Sequence, residues 1–405
     1  MRDAALIIFG VTYLLIAIGR LRPFRIDRTG LAIVGAAAMI LTGVVSLRQA
    51  AEAVDSRTLV LLFGMMIVVA NLRLSGFFRL VTVHAVRLAR SPVQLLAATV
   101  AIAGILAAFF INDVVCLVLS PLLLQLTRSL ALPPLPFLLA LATASNIGSV
   151  ATITGNPQNM LVASFSGIGY RTFALHLAPI ALLGLIADFL ILWAAYRTTL
   201  HGPVRLEAPE LKIRVHRPLL IKSSCAALIT LVLFAAGVAV SNVALGVGAW
   251  LLVTRRVRPE KVYREIDWPL LVLFIGLFVV VGGFETTGVD RELFGALRPL
   301  RLDHPGPLTV VTAALSNVVS NVPAVMLLKP FIGNLEHPQR AWLTVAASST
   351  LAGNLTPLGS IANLIVIEQA RRANVDVSFT AYIRVGIPIT VVTLLVAVAA
   401  LLLEG

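Results

Sequence analysis

Residues 145–159 read SNIGSVATITGNPQN and residues 352–363 read AGNLTPLGSIAN. Each lies between apolar runs of helical character, and each interrupts them with Asn, Gly, Thr and Pro. Helix interiors in hydrocarbon exclude such clusters unless the freed backbone groups are buried in protein or line a cavity. Two breaks of this kind in one apolar chain are the mark of helices opened at a binding site.

Working outward, each break is preceded by a second Asn-containing interruption of an apolar run. These are FFINDVVCLVLSPLLL at 109–124 and VVSNVPAVMLLKPF at 318–331. Further upstream, LLFGMMIVVANLRLSGFFR (61–79) corresponds to LFIGLFVVVGGFETTGVDR (273–291). Asp55, Gly64 and Gly76 recur as Asp267, Gly276 and Gly288 at a fixed offset of 212. An ordered series of this length predicts a duplication.

Composition places the duplication in a bilayer. Of 405 residues, 59% are hydrophobic and only 13% charged, against about 25% charged in soluble domains. Barrel strands alternate apolar and polar residues; the unbroken runs here predict helices. Full spans are expected near 4–19, 30–47, 58–75, 173–196, 219–239, 240–254, 268–284 and 379–403. The regions 93–167 and 307–370 are longer and interrupted. The first run, Ala4 to Gly19, has no small-residue cleavage site and reads as a span rather than a leader.

The expected fold is all-α: two inverted-topology repeats of five spans each, joined by a basic linker. The first repeat covers 1–196, with a re-entrant hairpin at about 93–127 and a broken helix at about 135–167. The linker is 197–217. The second repeat covers 218–405, with its hairpin at about 307–335 and its broken helix at about 341–370. Five crossings per half force the halves into opposite orientations.

The basic residues orient this topology. One side receives 23 of the 32, including Arg20, Arg22, Arg25, Arg28, Arg73, Arg128, the linker, Arg255, Arg256, Arg264, Arg371 and Arg372. The other keeps nine, among them Arg48, Arg57, Arg171, Arg291 and Lys329. The richer side is cytoplasmic by the positive-inside rule, which puts both termini outside the cell membrane. The net charge of +13 is thereby assigned to orientation rather than to nucleic acid. The two cysteines, Cys116 and Cys225, have no metal-ligand spacing, and no metal site or organic cofactor is read.

The breaks supply the candidate site. Hairpin tips and broken helices expose N–H groups at helix N-termini and carbonyls at C-termini. The former suit a substrate oxygen, the latter a cation or hydroxyl proton. The first half offers Asn112 and Asp113, then Ser145, Asn146, Ser149, Thr152, Thr154, Gly155, Asn156 and Asn159. The second offers Ser320 and Asn321, then Gly353, Asn354, Thr356, Gly359, Ser360 and Asn363. A lone Ser, Thr or Gly at such a place serves equally as a cap or packing contact. Asn112, Asn159, Asn321 and Asn363 carry the binding reading, because a buried amide without a partner is costly.

Asp113 stands apart as an acid at a membrane-embedded tip, a functional position by default, and able in a desolvated pocket to carry a proton near neutral pH. Val322 holds the equivalent place in the second half. Asp188, inside the span 173–196, is open to two readings: a second proton-pathway residue, or a structural partner of a polar group elsewhere.

These motifs, INDVVCLVL (111–119), PFLLALATASNIGSVATITGNPQNMLVA (136–163), SNVPAVMLL (320–328) and STLAGNLTPLGSIANLIVIEQARRA (349–373), resemble a large ion-transporter superfamily. It includes arsenite permeases, NhaD-type sodium/proton antiporters and divalent anion–sodium symporters. The likeness is strongest to the silicon efflux transporters and their bacterial relatives. The resemblance implies a scaffold domain and a mobile domain carrying both hairpins, an elevator motion, and in many members a homodimer. It also implies that Ile111-Asn112-Asp113 and Ser320-Asn321-Val322 flank the substrate, with residues 154–159 and 359–363 completing the site. The sodium-coupled dicarboxylate branch has tips resembling Ser-Asn-Thr, and this chain departs at both. The silicon and arsenite branches resemble it at the Asp and work by proton exchange.

The expected function is therefore a proton-coupled antiporter exporting a small hydroxylated metalloid acid, silicic acid or arsenite/antimonite. The alternative is a sodium- or proton-coupled transporter of inorganic anions or dicarboxylates. No Arg or Lys stands within the breaks as a candidate to favour an anion, although helix N-termini can bind one. A channel fits two broken spans less well than alternating access. An intramembrane enzyme finds no paired carboxylates, Ser-Lys dyad, HExxH or Walker motif.

Overall fold

A computed structural model describes residues 1–18, 26–87, 89–200, 215–253, 257–289 and 298–403. Arg20, Arg22, Arg25, Arg205, Lys212, Arg214, Arg255, Arg256 and Arg291, with most of the linker, lie outside them. The described residues are helical throughout, without strands. Six helices are long and apolar enough to cross a membrane, as expected of a multi-pass protein.

The first half of the chain contains α1 (Arg2–Ile18), α2 (Arg28–Leu41), α3 (Leu47–Ala53), α4 (Ser56–Ser75), α5 (Phe77–Arg87), α6 (Pro92–Phe109), α7 (Asn112–Ser129), α8 (Leu135–Ser149), α9 (Pro157–Ser166) and α10 (Tyr170–Leu200). The second contains α11 (Arg217–Ala235), α12 (Val240–Leu252), α13 (Pro259–Tyr263), α14 (Trp268–Glu285), α15 (Pro305–Val319), α16 (Asn321–Ile332), α17 (Pro338–Leu351), α18 (Ile361–Arg372) and α19 (Phe379–Leu403).

Local chemistry sets the boundaries. Asp55 caps α4 through the Arg57 N–H, and Asp267 caps α14 through the Leu270 N–H, each satisfying a donor the helix leaves open. Gly76 ends α4 in the left-handed conformation at φ +86°, the usual glycine terminator. The span expected at 30–47 is shorter than its apolar run. Helix α2 stops at Leu41, Gly43 takes φ +75°, and Ser46 opens α3 with a capping box to Gln49. The short α3 and α13, of seven and five residues, are too brief to show a helical repeat, and α5 is an amphipathic helix too polar to read as a span.

Packing pairs elements across the chain. Helix α4 lies against α12 and α14 against α2; α6 lies against α8 and α15 against α17; α7 meets α18 and α16 meets α9. The closest approaches occur at glycines. A Cβ on Gly64 would stand 2.4 Å from the Ala244 carbonyl carbon, and one on Gly276 would stand 2.8 Å from that of Ala32. Both glycine and alanine positions are related by the offset of 212 seen for the caps. Such small-residue contacts let membrane helices approach at their backbones. Pro121 and Pro330 sit inside α7 and α16, and Pro179 and Pro388 inside α10 and α19.

Polar contacts near the helix ends fall into two groups. Asp55 accepts from Ser164, and Lys329 binds Glu285 at 2.8 Å while lying over the Phe165 ring. At the other end of α4, Arg73 pairs with Glu265, the Ser75 carbonyl accepts from the His216 N–H at 3.1 Å, and Arg128 donates to the Ala373 carbonyl.

Candidate functional site

The interruptions seen in the sequence are breaks between helices. Phe110 and Ile111 separate α6 from α7, and Ser320 alone separates α15 from α16. Ser320 has φ +79° and ψ 160°, a region that β-carbon sterics disfavour for any residue but glycine. Between α8 and α9 the chain makes a 3-10 turn over Ile153–Gly155; between α17 and α18 it makes one over Ala352–Asn354.

Asn146, near the end of α8, is the hub. Its Oδ1 accepts from Asn112 Nδ2 at 3.0 Å and from Ser360 Oγ at 3.0 Å. Its Nδ2 donates to Asn354 Oδ1 at 2.8 Å and to Asn363 Oδ1 at 3.0 Å. One amide thus joins the first hairpin tip to the loop and helix N-terminus of the other half, with both its donors and both its acceptor positions used. The network extends as Asn354 Nδ2 donates to the Thr143 carbonyl at 3.2 Å.

The two loops are closed by the same device. Asn159 Nδ2 donates to the carbonyls of Ser149 and Thr152 at 3.0 and 2.9 Å, ten and seven residues back. Asn363 Nδ2 donates to the carbonyls of Gly353 and Thr356 at 2.7 and 3.2 Å, at the same intervals. Three residues before each clamp stands the helix cap: Asn156 for α9 and Ser360 for α18. The caps also reach across the halves. Ser360 donates to Asn146, and Asn156 Nδ2 donates to Thr350 Oγ1 at 3.1 Å. Thr350 stands 204 residues after Asn146, the interval that separates Asn156 from Ser360.

The remaining candidates divide between this network and its supports. Thr154 donates to the Phe109 carbonyl at 3.3 Å, tying the loop to the first tip. Gly155 is required by proximity, since a Cβ there would lie 2.1 Å from the Ser149 carbonyl oxygen; at Gly359 one would lie 2.7 Å from that of Gly353. Asn321 bonds back to its own hairpin: the Ser316 hydroxyl lies 2.5 Å from its Oδ1 and 2.9 Å from the Ser349 carbonyl. Its amide nitrogen nevertheless faces Gly353, at the edge of the network.

Asp113 follows Asn112 but turns away from the amides. It lines a cavity of about 210 Å³ with Arg73, Arg264, Glu265 and Asp267. Asp188 is fully buried in α10, and neither carboxylate oxygen has a hydrogen-bond partner among the described residues. Thr143 lies beside it, with its hydroxyl donating to the Leu139 carbonyl at 2.9 Å. Tyr382, on α19, likewise has a buried hydroxyl without a hydrogen-bond partner among the described residues.

Three participants escaped the sequence reading: Thr350, Asn317 and the Arg73–Glu265 pair. Gln158 Nε2 donates to Thr350 at 3.1 Å, and Asn317 Nδ2 to the Ala352 carbonyl at 3.0 Å. Aligning the halves at an offset of 204 would have found Thr350 opposite Asn146. No such signal marked the ion pair, whose members are 192 residues apart.

Comparison with known proteins places this architecture. The chain is 32% identical to a silicon efflux transporter, LSI3, of Oryza sativa subsp. japonica, with 95% of this chain and 94% of that one covered. It is 27% identical to the arsenical pump membrane protein of Escherichia coli K12, over 82% of each chain. Among solved structures, the Alcanivorax borkumensis YdaH transporter, of unusual topology, matches at a TM-score of 0.62, with 16% identity over 99% of this chain and 98% of that one. Neisseria gonorrhoeae MtrF, from a class of antimetabolite efflux pumps, matches at 0.65, with 12% identity over 99% and 94%. A family model described as citrate transporter matches residues 13–344. The chain is a multi-pass membrane transporter and belongs to the citrate transporter family, within the superfamily of arsenite permeases, NhaD antiporters and divalent anion symporters.

Proposed function

We propose that this protein is a proton-coupled antiporter that exports a small, neutral, hydroxyl-rich metalloid acid, silicic or arsenous, by an elevator motion of the hairpin-bearing domain. The observation that carries this reading is the hub at Asn146, where amides and a hydroxyl from both halves meet. The groups gathered there are neutral amides and a hydroxyl, bonded to one another; when a solute exchanges into the network they are the complement of one that presents several hydroxyls. Among the described residues no Lys or Arg enters the network, which suits a neutral solute better than a di- or tricarboxylate.

Proton coupling is assigned to Asp113, the one acid beside either tip, with Asp188 as a second protonatable group behind the network. The paired carbonyls of each loop favour protons over sodium. Ser149 and Thr152 are engaged by the Asn159 amide, and Gly353 and Thr356 by the Asn363 amide, so the oxygens suited to a sodium ion already have donors.

Residues 1–196 and 218–405 are read as inverted repeats. Support comes from the reciprocal contacts of Gly64 with Ala244 and Gly276 with Ala32, and of Asn146 with Ser360 and Thr350 with Asn156. The C-terminal end of α4 meets the N-terminal end of α14 through Arg73 and Glu265, as antiparallel counterparts would. The basic-residue count assigns that end to the cytoplasm and both termini to the outside. Assembly as a homodimer follows from the superfamily resemblance alone.

The test is uptake into proteoliposomes of silicate, arsenite, antimonite, citrate and succinate, each under an imposed pH or sodium gradient. Accumulation of a metalloid acid driven by the pH gradient supports the proposal. Sodium-driven dicarboxylate or citrate uptake would replace it with the anion reading.

A further inference from the structure

The cavity beside Asp113 brings four other charged groups to one wall. Arg73 comes from the last turn of α4, and Arg264, Glu265 and Asp267 from the segment entering α14. Arg73 and Glu265 are ion-paired and half-buried, with side chains 34% and 21% exposed. Asp267 is committed to capping α14. Asp113 makes no hydrogen bond to a described residue. The other charged residues on elements packed against α7 are Arg79 and His84 on α5 and Glu368, Arg371 and Arg372 on α18; none of them lines the cavity.

We propose that Arg73 is a positioning residue shared between two carboxylates: it pairs with Glu265 while Asp113 carries its proton, and turns to Asp113 when that proton leaves. This rests on the assignment of Asp113 as the coupling site. A hairpin-tip carboxylate without a donor is stable as the neutral acid; once ionised it needs a cation, and of the two arginines that line its cavity, Arg73 and Arg264, Arg73 is the one already paired with a carboxylate there. The exchange ties the protonation of a hairpin to its contact with the fixed ends of α4 and α14. Glu265 sets its balance, because it competes for the same guanidinium, whose planar fork can serve one carboxylate fully or two in part.

The pair makes opposite predictions for its two members. In Glu265→Gln the guanidinium is free for Asp113, so the ionised form is favoured and Asp113 holds its proton only at lower pH, by about one pH unit. In Arg73→Gln the Glu265 charge is left in the Asp113 cavity without its partner, and the proton is held to higher pH by a similar amount. Arg73→Lys keeps the charge and should stay near the parent.

The readout is labelling of Asp113 by dicyclohexylcarbodiimide, which reacts with protonated carboxyls. It is followed by peptide mass spectrometry across pH 4–9 on the purified full chain, so it needs no knowledge of the transported solute. Shifts of opposite sign in Glu265→Gln and Arg73→Gln support the exchange. No shift in either, or shifts of the same sign as expected for a contact that only holds helices together, would overturn it. A normal labelling profile in a chain that fails to transport would count against the transport assignment and leave the exchange standing.

Discussion

Replacing Asn146 by alanine tests the network at its hub. The side chain makes four hydrogen bonds of 2.8–3.0 Å and is 1% exposed. Interhelical hydrogen bonds in membranes average about 0.6 kcal/mol, which puts the loss of four near 2.4 kcal/mol. The substitution also leaves Asn112, Ser360, Asn354 and Asn363 each short of a partner in a buried place. At about 1 kcal/mol or more for each, the loss approaches 4 kcal/mol, so the expected range is about 2–4 kcal/mol. A suitable control is Asn71→Ala in α4. Asn71 is equally buried, but its amide donates only to the Ile67 carbonyl of its own helix and its oxygen has no partner, so its loss should be below about 1 kcal/mol. Equilibrium unfolding of the purified protein in mixed detergent micelles measures both. Equal destabilisation of the two variants, or a loss below about 0.5 kcal/mol for Asn146→Ala, would refute the hub.

Three further substitutions probe other parts of the account. Ser320→Gly should stabilise the protein by about 1 kcal/mol, because glycine relieves a φ of +79°, and the same unfolding titration reads it. Gly148→Ala should reduce folded yield sharply, since the new Cβ would lie 2.2 Å from the Gly104 carbonyl oxygen and overpacking costs at least about 1–3 kcal/mol; size-exclusion profiles of the expressed protein show the outcome. Asp188→Asn should fold normally and lose proton-driven accumulation, whereas a purely structural carboxylate would lose stability and keep coupling. Melting temperature and vesicle uptake together separate these outcomes.

The breaks at 145–159 and 352–363 were legible because Asn, Gly and Pro have few other uses inside apolar runs. Asp55 and Asp267, read as markers of a duplication, each cap the start of a helix, α4 and α14. The direction in which each polar side chain points was not legible. Asn112 and Asp113 are adjacent, yet one enters the amide network and the other a charged cavity, because successive helical residues face different sides. Asn159 and Asn363, chosen as ligand groups, use their amide donors on their own loops. That closure depends on turn geometry, which residue type alone does not specify. The end of α2 at Leu41 was hidden for a related reason: the apolar run continues to Val45, but the helix stops before Gly43, which takes the left-handed conformation.

The most direct measurement of the central claim is solute movement in vesicles carrying the parent protein or Asp113→Asn, under a pH gradient with sodium absent. The parent is expected to accumulate silicate or arsenite against its gradient and to lose that accumulation when an uncoupler is added. Asp113→Asn should only equilibrate the solute. Accumulation by Asp113→Asn equal to that of the parent, or accumulation by the parent only when sodium is supplied, would contradict it.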